Sequence, residues 1–304
     1  MSSMRTKPGG KGLTGSRARN VRLGPRPRSR PAASTGDPWP AGAEGSYLRL
    51  SARPLHVLVF LLPLILFYEA AAALHVIGSQ GVEETIRARR VLGDFFAVFG
   101  VGGLYLPGVL VTVVLLLWHV LTRDPWRIRP RVVWMMGLEA LVWTPPVLVL
   151  GQVLYKLMSG SLGAQPPVTA GLEVLASSAL VDRPLMARMA IAVGAGLYEE
   201  MLFRMVGIAL FHLILVDLIG LGSRKGTVLS VLAAAVAFAA YHDVGFGAGT
   251  GVKWADAAFF IFAGLYFGFV YVWRGFGVVV GVHVLYDLAV LVFFSPKPQA
   301  LGGH

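Results

Sequence analysis

The sequence predicts an all-α fold: a polytopic transmembrane helical bundle of about seven spans, or eight, behind a disordered basic N-terminal tail. Three observations predict it. The 304 residues are 56% hydrophobic and 14% charged, where a soluble domain carries about 25% charged residues, and the mean hydropathy is +0.67. From Leu55 onward the apolar residues come in runs close to the length of about 20 that a spanning helix needs. Basic residues gather in alternate loops between those runs, where topology-setting charges sit.

The net charge of +11 would also suit a nucleic-acid binder. The excess lies in the first thirty residues and in short loops between apolar runs, so no nucleic-acid partner is expected. There is no cysteine. Disulfides, thiolate metal sites and a cysteine nucleophile are therefore excluded, and the redox compartment stays undetermined.

Residues 1–48 form the expected tail, rich in Arg, Lys, Pro, Gly and Ser and without an acid before Asp37. Such a segment cannot bury an apolar core. Its frequent Pro and Gly oppose the amphipathic helix of a transit peptide, and a basic cytoplasmic tail near anionic headgroups fits better. The transmembrane domain follows over 49–298. Leu55–Ile77 is the first span, too long and too far from the N-terminus for a cleaved signal. Phe95–Leu121 is the second and Val132–Leu157 the third, with Pro145 and Pro146 expected to kink it. The less apolar stretch 159–182 suggests a short surface helix from about Val168. Pro184–Gly220 exceeds one straight span, which predicts a surface turn and then a tilted fourth helix. Gly222–Gly226 reads as a tight polar loop and Thr227–His242 as a short fifth helix. A Gly-rich segment, Asp243–Gly251, separates it from the sixth and seventh spans, Trp254–Trp273 and Phe276–Phe294.

With the N-terminus inside, Arg123, Arg127, Arg129 and Arg131, then Arg224 and Lys225, then Arg274 all fall on the cytoplasmic side. The expected topology is N-in, C-out, in a bacterial cytoplasmic (inner) membrane.

An ionisable side chain at membrane depth costs several kcal/mol, which makes each one a functional candidate. Glu69 and Glu139 stand alone in the first and third spans. His75, His119 and His212 lie near predicted ends or on apolar faces, where a histidine is usually structural. The second half, about 184–294, carries its polar residues in spaced sets. Glu199, Glu200 and Arg204 lie inside one apolar helix. Residues four apart share a helix face, so Glu200 can pair with Arg204 while Glu199 points about 100° away. Two adjacent carboxylates in different environments suit acid–base chemistry. A structural ion pair beside a bystander Glu is the plainer alternative. Phe238 and His242 repeat the four-residue spacing on the fifth helix, and His283 and Asp287 repeat it on the seventh. On the seventh, a carboxylate one turn from an imidazole can fix its tautomer or accept its proton.

The motifs Glu199-Glu200-x-x-x-Arg204, Phe238-x-x-x-His242 and His283-x-x-x-Asp287 resemble those of the CPBP family. This family comprises type II CAAX prenyl endopeptidases and bacterial relatives, often labelled bacteriocin-processing or Abi proteins. The resemblance covers roughly Pro184 to Phe294. It implies an intramembrane endopeptidase with Glu199 as the general base for water and His242 sharing that water. It further implies Glu200 and Arg204 as the supporting pair, with His283 and residue 287 stabilising the oxyanion. The third motif usually ends in Asn. Asp287 departs from it, since an ionised carboxylate offers no donor to an oxyanion. Asp287 can instead be protonated, orient His283, or help bind a metal. Glu199, His242 and His283 are the ligand types of a catalytic zinc site, and a metal-free route with Glu199 as base is slightly favoured. The expected partners are a membrane-associated protein or peptide substrate and the lipid bilayer. A proton-coupled transporter or channel, and a catalytically silent scaffold or immunity protein, are the competing functions.

Overall fold

At membrane depth every backbone N–H and C=O must be satisfied within its own segment, so long apolar runs become helices. The computed structural model of the chain describes residues 46–76, 106–159, 184–242 and 254–293, all within one compact unit, Trp39–His304. Among the described residues every regular element is helical and there is no strand. In chain order they are α1 (Tyr47–Leu50), α2 (Pro54–Val76), α3 (Leu106–Thr122), α4 (Pro130–Ser159), α5 (Leu185–Leu218), α6 (Ser223–Tyr241), α7 (Trp254–Arg274) and α8 (Phe276–Leu288). Five of them, α2, α4, α5, α6 and α7, are long and apolar enough to cross a membrane, and α3 and α8 are shorter apolar helices. The tail before residue 46, the surface helix expected from Val168, the segment Asp243–Gly251 and the first part of the expected second span lie outside the described residues.

The fourth span differs from expectation. Among the described residues no surface turn separates Pro184 from the helix: Pro184 is the N-cap and the helix starts at Leu185. Its 34 residues exceed the about 20 that cross a hydrocarbon core of about 30 Å, and the surplus length stays helical. The helix is α-wound to Glu200, π-wound over Met201–Gly207, α-wound again over Ile208–His212 and π-wound over Leu213–Leu218. The expected polar loop 222–226 also shifts. Ser223 already opens α6, and the chain breaks before it, where Gly220 takes φ +83°, a conformation that favours glycine.

α4 runs unbroken through Pro145 and Pro146. Prolines cannot donate to the helix ladder, and nearby hydroxyls add bonds around the gap. Thr144 donates to the Ala140 carbonyl at 2.8 Å, and Tyr266 on α7 donates to the Trp143 carbonyl at 2.6 Å.

The position of the site is set by α8. It packs against α2, α4, α5 and α7, and Val278, Val279, Val280 and Val282 are wholly buried. A helix apolar on every side belongs in the middle of a bundle. Gly277 and Gly281, four residues apart, let its backbone approach its neighbours. A Cβ at Gly281 would stand 2.9 Å from Ala140 Cβ on α4, and one at Gly277 would stand 2.7 Å from Met136 Cε. On the far side, Gly196 of α5 lies against Val284. His283 and Asp287 are thereby carried to the bundle centre, facing α5.

Candidate active site

Glu199 and Glu200 end the α-wound part of α5, and Arg204 follows inside the π-wound turn. All three are buried. A π turn adds a residue to the loop of backbone closed by each bond and is frequent at functional sites. Arg204 Nε lies 3.2 Å from Glu200 Oε2, and its Nη2 donates to the Gly264 carbonyl at 3.4 Å. The other oxygen, Glu200 Oε1, accepts from His283 Nδ1 at 2.6 Å. Glu200 therefore binds two helices at once, its own through Arg204 and α8 through His283. The four-residue spacing on α8 predicts Asp287 as the partner that orients His283. In the structure Glu200 holds Nδ1, and Asp287 Oδ2 stands 3.6 Å from the other nitrogen, Nε2.

His242 caps the C-terminus of α6 with an extended backbone, φ −80° and ψ 154°. Its Nδ1 donates to the Phe238 carbonyl at 2.8 Å. A carbonyl only accepts, so this bond places the proton on Nδ1 and turns Nε2 the other way. Nε2 faces Glu199 Oε2 at 3.8 Å, and His283 Nε2 faces the same oxygen at 3.9 Å. These separations exceed a direct hydrogen bond. Between them is a cavity of ≈ 20 Å³ lined by Glu199, His242, His283 and Asp287. A space of that size holds about one water where polar partners are present.

The structure thus brings Glu199, Glu200, Arg204, Phe238, His242, His283 and Asp287 into one cluster. The two imidazoles are clamped by α7 residues that the sequence did not single out. Phe260 stacks on His242 with centroids 3.8 Å apart and planes at 18°, and Phe267 stacks on His283 at 4.7 Å and 14°. The Arg204 guanidinium lies over the Phe238 ring at 4.3 Å, a cation–π contact. Phe260 and Phe267 are seven apart on one helix face, with Gly264 between them against Ala235 of α6. That spacing alone reads as ordinary core, so it gave no functional signal.

The remaining candidates separate. Glu139 is bonded by Arg274 and by the Tyr47 hydroxyl, and Arg274 Nη2 also reaches Ser51 Oγ at 3.1 Å. Burial and the neighbouring carboxylate push the Tyr47 hydroxyl above its ordinary range. Glu69 accepts from Tyr198 at 3.0 Å, beside the site in sequence but from α2. His119 is buried edge-on to Trp126, with centroids 4.3 Å apart. His212 is half-buried on α5, and the side chain of His75 lies outside the described residues. Among the described residues no group of three or more His, Asp and Glu is arranged to hold a metal ion.

Residues 182–289 match the family model described as Type II CAAX prenyl endopeptidase Rce1-like. The matched segment contains every polar residue of the cluster, in agreement with the resemblance that the three motifs carry. Together with the apolar helices, the match supports a membrane-embedded endopeptidase in general terms. No curated protein and no solved structure matches the chain significantly.

Proposed function

We propose that the chain is an intramembrane endopeptidase that cleaves a membrane-associated protein with Glu199 as the general base. The observation that carries this reading is the one-water cavity bounded by Glu199, His242 and His283. A water there lies within reach of a carboxylate that can take its proton and of two imidazole nitrogens that can orient it. The water oxygen bonds to the substrate carbonyl carbon, and its proton passes to Glu199. The carbon–nitrogen bond then breaks, and Glu199 returns the proton to the leaving amine. Glu200, bonded to both Arg204 and His283, is the positioning group that aims the His283 ring at the cavity. A protonated His283 Nε2 is the donor available to the oxyanion. Asp287, 3.6 Å from that nitrogen, acts in this scheme by orienting His283 rather than as a donor.

The substrate class is a segment near the membrane surface, such as the C-terminal tail of another membrane protein. We place the N-terminus inside a bacterial cytoplasmic membrane on the strength of the basic loops. The test compares protein C-termini in membranes expressing wild type, Glu199→Gln and His242→Ala at equal levels. Termini that appear with wild type and vanish with both variants support the proposal. Identical termini in all three refute it, and proton flux lost in both variants would assign the cluster to transport instead.

A further inference from the structure

A second cavity lies between the start of α2 and the start of α4. Its volume is ≈ 370 Å³, within the range of about 300–1,000 Å³ that small-molecule clefts span. Phe60 and Pro63 of α2, and Ile128, Pro130, Trp134 and Gly137 of the α4 end, form an almost wholly apolar lining. On α4 the spacing 130, 134, 137 is one helix face, so the cleft is a groove running along that helix from its N-terminal end. Gly137 forms part of its wall, and a Cβ there would meet only Phe60, at an ordinary 3.8 Å.

The mouth of this groove is strongly basic. Arg127, Arg129 and Arg131 alternate with the lining residues Ile128 and Pro130, and Arg123 precedes them. Arg127 and Arg131 are exposed. The single acid of the loop, Asp124, is bonded to Arg53 at 2.6 Å. Trp134, 76% exposed, stands one turn inside Arg131, and Trp126, 64% exposed, stands outside it. Tryptophan favours the headgroup level of a bilayer, and basic recesses between helices bind anionic headgroups.

An apolar groove along a helix, beginning beside a run of arginines flanked by indoles, has the two halves of an amphiphile's shape. We infer that this groove is a binding site for an anionic phospholipid, with an acyl chain along α4 and the phosphate at Arg127 and Arg131. The wall between that chain and the bundle is Phe60. Its ring is 3.1 Å from where a Cβ would stand on Gly281 of α8, two residues before His283. A lipid in the groove therefore buttresses the helix that carries the site. The inference rests on the membrane-spanning fold and not on the proposed peptidase chemistry.

The full-length protein, purified in detergent with equimolar phosphatidylglycerol and phosphatidylcholine of matched chains, is examined by native mass spectrometry. Phosphatidylglycerol is expected to be retained in preference. Each lost arginine contact should weaken that preference roughly five-fold, so Arg127→Gln with Arg131→Gln should nearly abolish it. Arg224→Gln with Lys225→Gln, at another loop, should leave it intact. Gly137→Leu, which fills the groove, should remove retention of phosphatidylglycerol, and Trp134→Ala should weaken it in a variant that leaves the helix packing alone. Equal retention of both lipids overturns the inference. So does a preference that survives the paired Arg127 and Arg131 substitution, or displacement of the bound lipid by a prenylated peptide.

Discussion

Arg204 and Arg274 each meet a glutamate inside the bundle, but the surroundings of the two pairs differ. Around Arg274 the glutamate's hydrogen-bonding capacity is used on both oxygens. Glu139 takes Arg274 on both oxygens and the Tyr47 hydroxyl besides, while Ser51 takes another guanidinium proton. Around Arg204 it is not. Arg204 Nη1 and Asp287 Oδ1 are buried without a hydrogen-bond partner, and Glu199 stands 3.8 and 3.9 Å from the two imidazoles across a cavity. A part-buried pair whose carboxylate is bonded on both oxygens ties helices together, here α1, α4 and α7. A buried cluster with spare donors and acceptors around a water-sized space is costly unless it is used. The contrast distinguishes the pair at Glu139 from the cluster around Glu199 without reference to sequence motifs.

The contrast breaks if the two regions respond alike to substitution. The largest effect expected is at Glu199. Glu199→Gln keeps size and polarity but removes the base, and should lower cleavage about 10²–10⁴-fold in the C-terminal comparison with the unfolding midpoint unchanged. Glu139→Ala should do the reverse. It strands the buried Arg274 and should cost about 3–5 kcal/mol of stability, seen as a lower thermal midpoint in detergent, with undiminished activity per folded molecule. His242→Ala should fall near the lower end of the general-base range, about 10²-fold in rate, because Glu199 remains. Phe260→Leu removes the plate under His242, an aromatic pair worth about 1 kcal/mol, and should slow turnover several-fold. Asp287→Asn should have the smallest effect: the amide oxygen can still orient His283 and the amide N–H adds a donor beside it, so activity is retained or raised, whereas loss of all activity would make the Asp287 carboxylate itself essential.

Much of this was legible in the sequence because it rests on short-range periodicity. The first, sixth and seventh spans follow from apolar runs, and their observed bounds, Pro54–Val76, Trp254–Arg274 and Phe276–Leu288 with a π-wound extension to Phe293, are close to those expected. The pairing of Glu200 with Arg204 follows from the four-residue rule even though the helix widens to a π turn there. Contacts between helices were not legible. Nothing local to Glu200 and His283, 83 residues apart, says that they bond, and nothing local to Glu139 says that Arg274 waits for it 135 residues on. The aromatic plates Phe260 and Phe267 share their residue type with Phe259, Phe262 and Phe269 of the same helix, so composition could not single them out. The π winding of α5 carried no recognised signal, and the continuous helix replaced the expected surface turn.

The central claim is that Glu199 activates the water that ends up in the product. Once the C-terminal comparison has supplied a substrate, cleavage by the purified full-length protein in oxygen-18 water tests it directly. Wild type should place one heavy oxygen in the new carboxyl group of each product, and Glu199→Gln, folded to the same midpoint, should yield no labelled product above background. Labelled product formed by Glu199→Gln at the wild-type rate would contradict the account.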